Sequence, residues 1–170
     1  QLEKANILDL YSGTGSFGLE CVSRQAIKAV FAEKEKEAVK ILEKNIEKLK
    51  IKNKTKIFFF DVFNLIKKHR KALIGNIPDG KFDLIFCLKT IYYVSDNINK
   101  VLLNLSEYLK KNGIIIITYN FKKDSFSNKY LNDLKLKKMM LKRFKEILTI
   151  ELNRQNYEKF NGEKMTILIF

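Results

Sequence analysis

Short apolar runs alternate with amphipathic segments along most of the chain. Runs of this length are typical of buried strands, and segments with apolar residues every three or four positions are typical of helices. The predicted strands are Asn6–Tyr11, Lys28–Glu33, Lys56–Asp61, Lys81–Cys87, Ile114–Tyr119, Glu146–Leu152 and Met165–Phe170. The first five are separated by helical segments, and the last two follow one another across a polar loop that contains Asn161-Gly162.

The segments between the strands predict helices that pack on a sheet. They cover residues 16–26, 35–50, 62–73 and 97–111, with a loop and a further helix over 121–144. In the second helix an apolar stripe is expected, formed by Ala38, Ile41, Leu42, Ile46 and Leu49. In the first helix, Phe17 and Cys21 stand at helical spacing, and Asn112-Gly113 is expected to cap the fourth helix.

This order of elements predicts an α/β fold. Strands that alternate with helices form a parallel, doubly wound sheet of the Rossmann-like kind, and two strands in succession predict an antiparallel pair at one edge. A length of 170 residues fits a single domain, 1–170. The chain starts at Gln1, and a strand is expected a few residues later, so we expect an N-terminal segment to be lacking.

Composition and charge narrow the class of protein. Hydrophobic residues make up 46% and the net charge is +14, which predicts a globular domain with affinity for polyanions such as RNA. A genome rich in A+T also enriches lysine, so the charge and the basic runs around His69 and over 135–143 support either reading. No apolar run or cysteine spacing indicates a membrane span or a metal site. We expect a cytoplasmic monomer with buried, reduced thiols at Cys21 and Cys87.

The stretch DLYSGTGSFGLE, residues 9–20, carries the candidate chemistry. Gly13, Gly15 and Gly18 fit the pattern G-x-G-x-x-G between a strand and a helix, where a backbone approaches a nucleotide closely. Glu33 ends the second strand, 20 residues after Gly13, and its carboxylate suits two ribose hydroxyls. The glycine pattern and Glu33 together fit either NAD or S-adenosylmethionine as the ligand.

Two further carboxylates favour S-adenosylmethionine. Asp9 precedes the glycines and would repel a pyrophosphate, which needs amide donors and positive potential, but it suits the ammonium and sulfonium groups of the methyl donor. Asp61 closes the third strand and suits the adenine amine, although acidic residues also end strands as turn residues. The donor-binding set we predict is Asp9, Tyr11, Gly13, Thr14, Gly15, Glu33 and Asp61.

Residues 7–49 resemble the opening of the RsmD family, which methylates a guanine exocyclic amine of small-subunit rRNA. The family pattern is D-L-(F/Y)-(A/S)-G-(T/S)-G-x-x-G-L-E-A-x-S-R-G-A, a strand ending in V-E, and a helix with Asn near its end, as at Asn45. The resemblance implies that Asp9, Gly13, Gly15, Glu33 and Asp61 hold the donor. It also implies rRNA or the small ribosomal subunit as the partner.

The chain departs from that pattern after the fourth strand. Family members place D-P-P-(Y/F) there, a loop that steadies the target nitrogen and stacks the base, whereas this chain has Leu88, Lys89, Thr90 and Ile91. Tyr92 and Tyr93 are the candidate catalytic residues that could still stack a base, and packing aromatics are an equally good interpretation.

Three other functions stay open at this point. Residues 82–117 are also similar to class I methyltransferases that act on small molecules or proteins. A degenerate domain that binds the donor without transferring the methyl group would explain the altered loop. The hypothesis of an NAD-dependent oxidoreductase is supported by the three glycines together with Glu33, and Asp9 argues against it.

Overall fold

The structure is a computed structural model that describes residues 2–62, 64, 71, 75, 80–88, 104–120, 145–152 and 163–169. The strands are β1 (Asn6–Leu10), β2 (Lys28–Glu33), β3 (Thr55–Phe59), β4 (Phe82–Cys87), β5 (Leu109–Asn120), β6 (Lys145–Leu152) and β7 (Glu163–Ile169). The helices are α1 (Ser16–Ser23), α2 (Lys36–Lys48) and a 3-10 turn, Lys52–Lys54. Residues 104–108 are also helical.

All seven strands belong to one sheet with the order β3-β2-β1-β4-β5-β7-β6. The strands β3, β2, β1, β4 and β5 are parallel, which confirms the predicted parallel sheet. The strand β7 runs antiparallel to β5, and β6 runs antiparallel to β7. After β3 the chain continues on the other side of β1, so a topological switch point lies between β1 and β4, where sheets of this kind bind ligands.

The core lies on both faces of the central strands. One face packs against α1 and α2 through a cluster of twelve residues: Ala5, Ile7, Leu19, Cys21, Val22, Ala26, Ala29, Phe31, Leu42, Ile46, Leu84 and Phe86. Leu8, Val30 and Ile85, which alternate with residues of that face, are fully buried as well. Burial of both faces explains why these strands read as continuous apolar runs rather than as alternating patterns.

Several predicted details differ in the structure. Ile41 and Leu49 are exposed, and the buried side of α2 is Val39, Leu42 and Ile46, because the helix turns a narrower stripe toward the sheet. Phe17 is also exposed, with 52% of its surface accessible, although its ring packs on that of Phe86 at a centroid distance of 5.3 Å.

The predicted helix cap at Asn112-Gly113 is wrong. The helical residues end at 108, and β5 begins at Leu109, which pairs with Phe82. Asn112 has a φ of 63°, and regular pairing resumes with Leu84 and Ile114, so the two residues form an irregularity within β5.

Some predictions fall on residues that the structure does not describe. These are most of the helix over 62–73 with His69, the first part of the helix over 97–111, the segment 121–144 with its basic run, and the loop at 161–162. Tyr92 and Tyr93 lie outside the described residues as well.

Candidate functional site

The glycine loop leaves β1 at the switch point and is shaped by three residues with positive φ. Tyr11 has a φ of 54°, Gly13 of 55° and Gly15 of 84°. Such angles suit glycine but are uncommon for tyrosine, and a residue held there marks a position that its surroundings determine closely. The N–H of Gly15 donates to the carbonyl of Ser12 over 2.8 Å, which closes a tight turn over residues 12–15.

Two of the glycines are required by close packing. A Cβ on Gly15 would lie 2.3 Å from Leu42 Cδ1, and a Cβ on Gly18 would lie 2.4 Å from the Phe31 ring. Gly13 differs, because among the described residues other than Gly13 and its two chain neighbours, no atom lies within 4 Å of the position that its Cβ would occupy. The loop is therefore packed against the core on one side, and Gly13 forms its open side.

Asp9 lies beneath the loop and is almost completely buried, with 2% of its surface accessible. Its Oδ2 accepts a hydrogen bond of 3.0 Å from the N–H of Gly18, in the first turn of α1. Burial raises the pKa of Asp9 to about 7, the Gly18 hydrogen bond opposes that rise, and the negative charge of Glu33 adds to it. A cation bound nearby would favour the ionised form of Asp9.

Glu33 is the last residue of β2, and its carboxylate accepts hydrogen bonds from three backbone N–H groups. Its Oε2 accepts the N–H of Gly13 over 2.8 Å, and its Oε1 accepts the N–H groups of Lys34 and Glu35 over 2.8 and 2.9 Å. A carboxylate has about four lone-pair positions, so the contacts made by the described residues leave about one position of Glu33 for a further donor such as a hydroxyl.

Tyr11 and Asp61 complete the carboxyl-end edge of the sheet. Burial raises the pKa of Tyr11 well above its ordinary range, and negative charge on Cys87, Asp61 and Glu33 acts in the same direction. The Tyr11 side chain is therefore within electrostatic range of groups at the ends of β2 and β4 and just beyond β3. Asp61 lies two residues beyond β3, half-buried, and its Oδ1 accepts the N–H of Asn64 over 3.3 Å.

The structure thus brings together the predicted set of Asp9, Tyr11, Gly13, Thr14, Gly15, Glu33 and Asp61 around one loop, whereas Tyr92 and Tyr93 lie outside the described residues. Sequence reasoning missed two polar groups of this region. Ser12 has a buried Oγ for which the described residues offer no hydrogen-bond partner. Asn45 of α2 donates to the carbonyl of Thr14. Both residues lie in the pattern that resembles the RsmD family, but the pattern does not specify the contact that either side chain makes.

The described residues offer neither a metal site nor a membrane-spanning helix. Within them, no group of three or more His, Cys, Asp and Glu side chains is placed to hold a metal ion. No helix in the same ranges is both long and apolar enough to cross a membrane. Both cysteines are buried, and burial raises the pKa of Cys21 to about 11, so that thiol is a packing group.

Solved structures share this fold across almost the whole chain. Magnesium protoporphyrin IX methyltransferase (ChlM) from Synechocystis PCC 6803, with bound S-adenosylmethionine, superposes with a TM-score of 0.72 at 14% identity, covering 99% of this chain and 71% of that one. A conserved hypothetical protein from Streptococcus pyogenes superposes with a TM-score of 0.67 at 20% identity, covering 98% and 86%. At these identities the likeness establishes the class I methyltransferase fold.

Sequence comparison gives the family. Ribosomal RNA small subunit methyltransferase D of Buchnera aphidicola subsp. Baizongia pistaciae (strain Bp) is 30% identical over 117 residues, which are 69% of this chain and 55% of the relative. The chain thus spans about half the length of the curated relatives it matches. The family model described as conserved hypothetical protein 95 matches residues 1–147. The chain therefore belongs to the conserved hypothetical protein 95 family, whose members are RsmD-type proteins with the class I methyltransferase fold.

Proposed function

We propose that this protein transfers a methyl group from S-adenosylmethionine to a guanine exocyclic amine of small-subunit rRNA. The observation that carries the proposal is the position of Asp9, Glu33 and Asp61. They stand at the carboxyl ends of three adjacent parallel strands, β1, β2 and β3, around a glycine loop at the switch point. Three carboxylates at a nucleotide-type loop suit a ligand that is cationic at one end and carries a ribose and an adenine.

The residues present fit that donor. Gly13 leaves the outer side of the loop open, so a ligand can lie close to the backbone there. Glu33 has about one lone-pair position left for a ribose hydroxyl. The buried Oγ of Ser12, which lacks a partner among the described residues, is a further polar group of the same loop.

The charges of the site favour this donor over a dinucleotide. A pyrophosphate binds where N–H donors and positive potential converge. Here the N–H of Gly13 is occupied by Glu33, and that of Gly18 by Asp9. Two acidic side chains at the loop repel phosphates and attract an ammonium or sulfonium group.

The chain would contribute positioning and charge to the reaction. The donor, when bound, supplies a methyl group already activated by the positive sulfur. Asp9 and Glu33 hold the loop through Gly18 and Gly13, with Asp9 toward the cationic end of the donor and Glu33 toward its ribose. Holding two reactants in line is a large part of catalysis when the group to be transferred is already activated. In this proposal Tyr92 or Tyr93 stacks the target base, and no covalent enzyme intermediate forms.

The RNA substrate is supported by the names of the relatives and by charge. The two Buchnera relatives are named for methylation of small-subunit rRNA. A net charge of +14 predicts a salt-sensitive affinity for polyanions. We place the protein in the cytoplasm as a monomeric single domain, 1–170, where its partner is the small ribosomal subunit or its rRNA.

One observation favours a second candidate function. Leu88, which stands where family members have the Asp of D-P-P-Y, is half-buried and packs against the apolar cluster under α1 and α2. A leucine side chain cannot accept a hydrogen bond from a target amine. The alternative is therefore a class I methyltransferase that acts on a small molecule or a protein, or a domain that binds the donor without catalysis.

Transfer of labelled methyl groups separates these functions. The protein is incubated with labelled S-adenosylmethionine and, in parallel, with undermethylated small ribosomal subunits, with purified proteins and with small metabolites. Label in small-subunit RNA, reduced steeply by added salt, is the expected result. Label in a protein or metabolite, or donor binding without any transfer, would overturn the rRNA proposal in favour of the second candidate.

A further inference from the structure

The helix α2 contacts the glycine loop through two of its side chains, Leu42 and Asn45. Its fully buried Leu42 lies under Gly15, close enough that a Cβ on Gly15 would lie 2.3 Å from Leu42 Cδ1. Nearly one turn further along, Asn45 Nδ2 donates a hydrogen bond of 3.2 Å to the carbonyl of Thr14. Residues three apart on a helix share a face, so both contacts come from the same side of α2.

The contact of Asn45 fixes the orientation of one peptide group. In a trans peptide the C=O and the following N–H point in opposite directions. The carbonyl of Thr14 points to Asn45, and the N–H of Gly15 in the same peptide points to the carbonyl of Ser12 over 2.8 Å. The Asn45 amide therefore sets the plane of the peptide that closes the turn over 12–15.

Three different elements thus hold three backbone groups of this loop. Asp9 of β1 accepts from Gly18, Glu33 of β2 accepts from Gly13, and Asn45 of α2 donates to Thr14. Of the three contacts, that of Asn45 is the one made by an uncharged side chain to a carbonyl, so it orients the loop without adding charge to the site.

We propose that Asn45 is a positioning residue for the methyl donor, acting through the Thr14–Gly15 peptide. This inference rests on the proposed donor site. A loop whose peptide is already oriented loses less conformational freedom when the donor binds, so removal of the amide weakens binding without touching the ligand. A single neutral hydrogen bond predicts a loss of about threefold to tenfold in donor affinity.

The test compares Asn45→Ala, Asn45→Gln and Asn45→Asp with the wild-type chain. Affinity for S-adenosylmethionine and S-adenosylhomocysteine is measured by calorimetry, and the urea midpoint is measured on the same samples. We expect Asn45→Ala to bind both ligands threefold to tenfold more weakly, and Asn45→Gln, which keeps an amide donor, to recover part of the loss. Asn45→Asp should bind most weakly, because its carboxylate repels the carbonyl of Thr14.

The Asp variant also separates geometry from charge. An added negative charge should strengthen binding of a cationic donor if charge alone matters, so weaker binding by Asn45→Asp identifies the effect of the loop. Asn53→Asp, an exposed position of the 3-10 turn, is the matched control for the same change of charge, and its affinity should stay within twofold of wild type.

The outcomes distinguish the inference from the proposed function. If the wild-type chain binds neither ligand, the proposed donor site fails and the inference fails with it. If the wild-type chain binds but Asn45→Ala binds equally well, the inference alone is overturned. A lowered urea midpoint with unchanged donor affinity would show that Asn45 has a purely structural role, and would overturn it too.

Discussion

Glu33 Oε2 accepts a hydrogen bond of 2.8 Å from the backbone N–H of Gly13, twenty residues earlier in the chain. The bond joins the end of β2 to the loop that follows β1, two segments that the parallel pairing of these strands brings side by side. The same carboxylate accepts two N–H groups at the start of the connection to α2. One side chain therefore shapes the loop and borders the space beside it.

Replacement of Glu33 should weaken donor binding and also destabilise the fold, because three hydrogen bonds of this carboxylate hold backbone N–H groups of the chain. Hydrogen bonds to charged groups contribute about 1.5–3 kcal/mol, which corresponds to a loss of roughly 10- to 100-fold in donor affinity for Glu33→Ala. Glu33→Gln should lie between this variant and wild type, because an amide retains one accepting oxygen. Calorimetry with S-adenosylmethionine measures the effect, and urea denaturation shows how much of the loss is structural.

Glu35→Gln is the control for that experiment. Glu35 lies two residues further along and is exposed, and it is the backbone N–H of this residue that contacts Glu33. The substitution makes the same change of net charge outside the loop, so donor affinity should stay within about twofold of wild type. Equal losses in Glu33→Gln and Glu35→Gln would mean that general charge, rather than the loop contact, governs binding.

The two loop glycines should respond differently to alanine. Gly13→Ala introduces the strain of a positive φ into open space, at a cost of about 1–2 kcal/mol. Gly15→Ala adds a clash with Leu42 to the same strain, and overpacking of this kind costs about 1–3 kcal/mol more. Urea denaturation should therefore rank Gly15→Ala below Gly13→Ala in the free energy of unfolding.

A second substitution tests the cause of that difference. Leu42→Val shortens the side chain that would meet the new methyl group, so it should recover part of the stability of Gly15→Ala while destabilising the wild-type chain. Additive effects of Gly15→Ala and Leu42→Val would contradict the predicted clash, since residues in contact are expected to couple.

The parallel part of the fold could be predicted because its signals are local. The central strands β1, β2 and β4 are apolar runs of five or six residues, and β2 has the predicted bounds, Lys28–Glu33. Details that depend on neighbours could not be predicted. Ile41 fits the helical stripe by spacing but is exposed, and Asn112 resembles a helix cap but lies within β5, where pairing with Phe82 decides the structure.

The candidate site was predictable to a similar degree. The glycines and the acidic residues at strand ends lie in recognisable positions, and parallel strands bring their carboxyl ends to one edge. The contact from Asn45 to Thr14 joins residues 31 apart through the packing of α2, and the raised pKa of Asp9 arises from burial. Both depend on how the helices cover the sheet, which no single segment of the sequence specifies.

Asp61 should recognise the adenine amine, and a pair of ligands can test that role. Asp61→Ala is expected to weaken binding of S-adenosylmethionine about tenfold, because a charge-assisted hydrogen bond to the amine is lost. The donor analogue that carries hypoxanthine in place of adenine lacks the amine, so the same substitution should leave its affinity nearly unchanged. An equal loss for both ligands would place Asp61 away from the base.

Asp9 should make both stability and donor binding depend on pH near neutrality. Its pKa is raised from 3.8 to about 7 by burial, so the native state holds a proton that the unfolded chain releases at lower pH. The contribution of Asp9 to the free energy of unfolding is therefore fully present below about pH 4 and is lost as the pH rises through 7. Asp9→Asn, which keeps an acceptor for Gly18, should remove that slope and become more stable than wild type at pH 8 by on the order of a few kcal/mol.

A cationic donor favours the ionised form of Asp9, so wild-type affinity for S-adenosylmethionine should rise between pH 6 and about pH 8. The affinity of Asp9→Asn should rise less over the same interval. Urea denaturation and calorimetry at four pH values measure both effects, and a stability difference between the two chains that does not change with pH would show that Asp9 is ionised throughout.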